Sequence, residues 1–218
     1  MRRTFYQKYR RFLEPMDGLL LQNPVLERGL VLAPVIVASY NCQYSLLLGL
    51  SFVLITFATV LISSFIPKKI PYTIRIILYT LIACGVFVPT AMLMDRLFPD
   101  TLFKVGIFLP LLVANSLIVV KSESRFHKQK RGRMILDLFC NTLGFLWVIV
   151  LVGFLREWIG SGSLFGNPVP GMFTVPAVLM PFSGFIIVGF LAALVKRLRY
   201  LAETPSKRRH KSEADSME

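Results

Sequence analysis

From Gly29 to Pro67 the chain runs for 39 residues without a charged side chain. A hydrocarbon core about 30 Å thick takes about 20 residues of helix, so this run holds two crossings and turns within itself. The turn belongs at "SYNCQYS", Ser39 to Ser45, because backbone groups that leave the helical ladder need water or protein partners. Charge-free runs at Ile76–Met94, Val105–Val120 and Leu138–Leu155 each supply one further crossing. The last run, Ile159–Val195, opens with "GSGSLFGNPVPGMFTVP", whose glycines and prolines exclude a regular helix and leave Val175–Val195 to span. The expected fold is all-α and integral to the membrane, with six spans.

The net charge of +13 raises nucleic acid as a partner, and the placement of the charge answers the question. With the N-terminus in the cytoplasm, 22 of the 25 Lys and Arg residues lie before Gly29, in "PKKIPYTIR", in "KSESRFHKQKRGR" or from Lys196 onward. Only Arg96, Lys104 and Arg156 fall on the far side. That asymmetry is the positive-inside rule for six helices with both termini cytoplasmic, so no nucleic-acid partner is called for. Residues 1–14 place Phe5, Tyr6, Tyr9, Phe12 and Leu13 near one helical face and the arginines elsewhere, the pattern of an amphipathic segment on an anionic lipid surface. Residues 17–200 form the membrane domain, and residues 201–218, which lack apolar periodicity, read as a disordered cytoplasmic tail.

Two stretches repeat one pattern. Pro34-Val-Ile-Val-Ala-Ser39 is matched 76 residues later by Pro110-Leu-Leu-Val-Ala-Asn115. Each proline sits in the first span of a three-span half, and three is odd, so the halves run through the membrane in opposite senses as an inverted repeat. A proline inside a helix removes a backbone hydrogen bond and clashes with the preceding turn, which predicts a broken helix near Pro34 and another near Pro110. Broken helices at equivalent positions of inverted halves point to a site near the midplane. The candidates there are Ala33, Pro34, Pro110, Asn115 and Ser116.

No charged side chain falls in the middle of a run, and Asp95, Arg96, Asp137, Arg156 and Glu157 all stand at run ends, where water or headgroups are within reach. A self-contained proton relay is therefore not expected. Cys42, Cys84 and Cys140 lie far apart, without metal-ligand spacing, and read as small buried residues. Neither a catalytic triad nor a phosphate-binding glycine loop is present, so no catalytic residue and no metal are assigned.

"NPVLERGLVLAP" (Asn23 to Pro34), "GIFLPLLVANSLIVVKSES" (Gly106 to Ser124) and "REWIGSGSLF" (Arg156 to Phe165) resemble the RnfE/NqrD branch of the Rnf and Nqr membrane subunits. The resemblance implies membership of a multi-subunit complex in a bacterial or archaeal cytoplasmic membrane, coupling electron transfer to sodium or proton movement. It implies an RnfA/NqrE-like chain as partner, with an iron-sulfur cluster held between the two by cysteines of their broken helices. Here Ala33 and Ser116 stand where the family pattern carries those cysteines. Alanine offers no donor atom and serine is a poor substitute for thiolate, so no cluster is expected on this chain. Cys42, nine residues beyond Ala33, is the weak alternative ligand.

The leading expectation is a divergent RnfE/NqrD-like subunit, an electron-relay or non-catalytic part of a redox-driven ion translocase. Arg156, Glu157, Lys121, Glu123 and Arg125 are its candidates for contact with other subunits, and the loop Lys121–Arg133 for contact with anionic lipid. A stand-alone permease binding a small solute at the midplane, and an electron-transfer subunit whose cluster is held partly by other chains, are the alternatives.

Overall fold

A computed structural model describes residues 23–27, 29–67, 69–99, 101–124, 131–165, 167–168 and 174–214. The amphipathic segment 1–14, Arg125 and residues 215–218 lie outside the described residues. Among the described residues the chain forms seven α-helices: α1 Cys42–Ser63, α2 Tyr72–Leu97, α3 Thr101–Val105, α4 Phe108–Leu111, α5 Ser116–Ser124, α6 Arg131–Ser161 and α7 Pro181–Ala214. A five-residue π-helix, Pro34–Ala38, precedes α1. A 3-10 turn, Pro176–Leu179, precedes α7. Two-residue strands β1 (Ser163–Leu164) and β2 (Asn167–Pro168) pair antiparallel between α6 and that turn.

Local chemistry sets these boundaries. Asn41 caps α1, its side-chain oxygen accepting from Gln43 N at 2.8 Å. Pro71 precedes α2, and Pro181 opens α7 at the helical position that needs no N–H. Helix α6 stops at Gly162, which takes φ +61°, a left-handed conformation that glycine adopts without a Cβ penalty.

Among the described residues, three helices are long and apolar enough to cross a bilayer: Cys42–Ser63, Tyr72–Leu97 and Ile135–Ser161. The run Gly29–Ser39 is not a regular span. Its chain bends at Gly29 (φ +62°) and Val31 (φ +58°) and then winds as the π-helix from Pro34. The run Val105–Val120 is likewise divided among α3, α4 and α5, with Gly106 at φ +53°. Helix α7 runs on to Ala214, so residues 201–214, expected as a disordered tail, continue the last helix instead.

The core is the antiparallel seam between α1 and α6. Along it Cys42 meets Glu157, Ser45 meets Gly153, Gly49 meets Ile149 and Phe52 meets Phe145. The Phe52 and Phe145 rings stack with centroids 3.8 Å apart, and both are fully buried. Between helices in lipid, close van der Waals packing replaces the hydrophobic drive, and small residues allow the backbones to approach. Gly153 serves that purpose: a Cβ there would overlap the Ser45 side chain and lie 3.3 Å from Asn41 O.

Candidate functional site

The two proline-bearing segments pack against each other: the π-helix Pro34–Ala38 contacts α4, which contains Pro110. Val35, Ile36, Leu109 and Leu112 are buried together in the main apolar cluster. A π-helix leaves the usual i to i−4 ladder and is often found where function needs an irregular backbone. Ser39 Oγ donates back to Val35 O and Asn41 caps the next helix, so side chains close the interruption from both ends.

The second interruption is closed by Asn115. Its Nδ2 donates to Leu112 O at 2.7 Å and to Thr56 Oγ1 of α1 at 3.3 Å, while its Oδ1 accepts from Ile118 N at 3.0 Å. Of the five midplane candidates, Pro34 and Asn115 are buried, whereas Ala33, Pro110 and Ser116 lie exposed on the surface of the chain. Phe103, Ile107 and Leu111 add exposed apolar side chains along α3 and α4.

Arg156 and Glu157 differ from the expectation of helix-end anchors. Arg156 is 0% and Glu157 2% exposed, and both turn into the protein. The guanidinium donates through Nη1 to Ile36 O at 2.7 Å, through Nη2 to Leu179 O at 2.7 Å and Met180 O at 3.2 Å, and through Nε to Val178 O at 3.2 Å. Glu157 Oε2 accepts the backbone N–H of Cys42 at 2.8 Å, and its Oε1 accepts from Ser163 Oγ at 3.4 Å. The planar five-donor guanidinium satisfies carbonyls that the π-helix and the 3-10 turn leave without helical partners.

Lys121 is also buried, its Nζ 2.7 Å from Asp137 Oδ2 on α6, and Asn141 Nδ2 donates to Asp137 Oδ1 at 3.2 Å. Ser63 and Ser122 share a hydrogen bond of 3.0 Å between α1 and α5. Glu123 accepts from Arg75 at 2.8 Å and from Tyr79 at 2.9 Å, both on α2. These bonds tie α5 to three neighbouring helices, so Lys121 and Glu123 are engaged within this chain. The sequence reading missed Asn23, whose Nδ2 donates to Gly144 O at 2.8 Å near the middle of α6 and whose Oδ1 accepts from Val25 N at 2.9 Å. An asparagine before a proline at the start of an apolar run was the signal available for it.

The match with known proteins spans nearly the whole bundle. Residues 12–192 match the Rnf-Nqr family, described as "Rnf-Nqr subunit, membrane protein". The chain belongs to the Rnf-Nqr family. It is a multi-pass membrane protein, as that description and its apolar helices require. The chain is 29% identical over 195 residues to the E-type subunit of the ion-translocating oxidoreductase complex of Aliivibrio fischeri, covering 82% of this chain and 85% of that protein. It is 27% identical over 180 residues to the E-type subunit of the Na(+)-translocating ferredoxin:NAD(+) oxidoreductase complex of Acetobacterium woodii, covering 82% and 92%. A third Rnf-Nqr relative, the D-type subunit of the Na(+)-translocating NADH-quinone reductase of Tolumonas auensis, is 26% identical over 203 residues, covering 90% and 94%.

The iron-sulfur ligands that the family resemblance implies do not fit the donors present. Ala33 presents a methyl group and Ser116 a hydroxyl, where cluster iron favours thiolate. Cys42 and Cys140 are buried on α1 and α6, and Cys84 is exposed on α2. Among the described residues no three His, Cys, Asp or Glu side chains gather as a metal site.

Proposed function

We propose that this chain is the RnfE/NqrD-like integral membrane subunit of an ion-translocating electron-transport complex, and that it carries no iron-sulfur cluster of its own. The observation that carries the reading is the family match over residues 12–192. The relatives' names, which describe subunits of ion-translocating oxidoreductases, support the complex. The six spans divide into two inverted halves. In each, a broken segment leads two long helices: residues 29–41 before α1 and α2, and residues 101–124 before α6 and α7. Pro34 and Pro110 hold equivalent places near the midplane.

The exposed face with Ala33, Pro110, Ser116, Phe103 and Ile107 receives an RnfA/NqrE-like chain of the same inverted architecture. Both termini lie in the cytoplasm and the chain resides in the cytoplasmic membrane, in keeping with its basic loops. Electrons pass through other subunits, and this chain supplies half of the scaffold. The test is anaerobic purification of the assembly from native membranes, with iron content and visible spectrum compared before and after Cys42→Ser and Cys140→Ser. Iron per assembly should be unchanged by either substitution. A cluster signal lost with Cys42→Ser would overturn the reading.

A further inference from the structure

Adjacent residues Arg156 and Glu157 hold opposite ends of one interruption. The guanidinium takes Ile36 O before the break, and the carboxylate takes Cys42 N after it. The same guanidinium binds three carbonyls at 178–180, where the chain turns into α7. Two glycines press these elements together. A Cβ on Gly184 would lie 2.8 Å from Ile36 O and 3.2 Å from Ile36 Cα, and one on Gly160 would lie 2.6 Å from Leu179 Cγ. Ser183 Oγ adds hydrogen bonds to Val178 O and Met180 O, and Val175 N donates to Ile159 O. The second interruption is fastened differently, through Asn115 to Thr56 of α1.

We propose that Arg156 and Glu157 are positioning residues that lock the Pro34–Cys42 segment to the corner formed by the end of α6 and the start of α7, so that the first proline break and this corner move as one body. Lysine cannot replace the arginine, because one ammonium cannot address carbonyls on both sides as a planar fork does. Glutamine can replace the glutamate at Cys42, because the bond needs only an acceptor oxygen. The importance of this segment to the complex rests on the proposed function; the lock itself does not.

Native cysteines report on it. Cys42 sits at the lock and is buried, and Cys140 is buried elsewhere on α6. The full-length chain in native membranes is treated with a membrane-permeant maleimide, and labelling at each cysteine is followed by mass spectrometry. In Arg156→Lys and Glu157→Ala, Cys42 should label about tenfold faster or more than in the unsubstituted chain, while Cys140 stays slow, because only the local opening changes. Glu157→Gln should behave like the unsubstituted chain. An unchanged Cys42 rate, or Cys42 and Cys140 rising together, would overturn the lock. Hydrogen exchange on the unsubstituted chain gives a second reading that needs no variant to accumulate: the Cys42 amide should exchange as slowly as those in the middle of α6, and fast exchange there would also overturn the proposal. Labelling needs no turnover or partner, so a chain that proved to act alone would sink the proposed function without changing this result.

Discussion

The Nη1 atom of Arg156 lies 2.7 Å from the carbonyl oxygen of Ile36, a bond that spans 120 positions of the chain and joins the π-helix Pro34–Ala38 to the end of α6. Truncating the arginine leaves carbonyls of both the π-helix and the 3-10 turn without donors, and each buried carbonyl left unpaired costs about 1–3 kcal/mol. Arg156→Met should therefore lower the thermal midpoint of the detergent-purified protein by at least about 4 °C. Fluorescence-detected thermal unfolding measures it, and an unchanged midpoint would show that these bonds do not hold the native structure.

The Lys121–Asp137 pair is buried on both sides, so the cost of breaking it and the cost of removing it differ in size. Removing one partner leaves an uncompensated charge and costs about 3–5 kcal/mol, whereas an apolar replacement of both is often nearly neutral. Lys121→Met alone should lower the midpoint sharply, and Lys121→Met with Asp137→Leu should recover most of the loss. Equal effects of the single and double variants would mean that the pair is not desolvated.

Gly153 and Gly189 make a matched contrast on the two long C-terminal helices. A Cβ at Gly153 overlaps Ser45 across the α1–α6 seam, whereas one at Gly189 meets nothing within 4 Å. Gly153→Val should reduce accumulation in the membrane several-fold by forcing the seam apart. Gly189→Ala should be neutral or stabilising by up to about 1 kcal/mol, the helix-propensity difference. Immunoblots of membrane fractions and thermal unfolding compare the two.

Asn115 both caps α5 and reaches Thr56, so its loss removes a cap and leaves Leu112 O unpaired. Asn115→Ala should cost about 1–2 kcal/mol, most of it from the cap. Thr56→Val removes only the longer cross-helix bond and should cost less. The reverse order, read from thermal midpoints, would place the weight on the α1 contact.

The places where helices stop were legible in the sequence, because proline and glycine act locally. Pro34 and Pro110 mark the interruptions, and Gly162 and the prolines that follow mark the loop before α7, whereas Gly160 stays inside α6. The fate of the charged residues was not legible. Arg156 and Glu157 stand at the end of an apolar run, which suggested water or headgroups, but their partners at Ile36 and Cys42 lie 120 and 115 positions away and are backbone groups that no side-chain pattern announces. The pairing of Lys121 was hidden for the same reason: its carboxylate partner belongs to the next helix, across the segment that reads as a basic loop. Helix α7 past residue 200 carries a polar sequence whose helical path owes nothing to apolar periodicity.

Whether the chain works inside a complex is read from its assembly state in its own membrane. Extracted in mild detergent under anaerobic conditions and isolated through an affinity tag, it should migrate as part of a multi-subunit particle containing at least one further Rnf-Nqr-type membrane chain, identified by mass spectrometry. A particle of the mass of one such chain in its detergent micelle, folded and without co-purifying subunits, would rule out membership of a complex and leave a protein that uses the Rnf-Nqr scaffold alone.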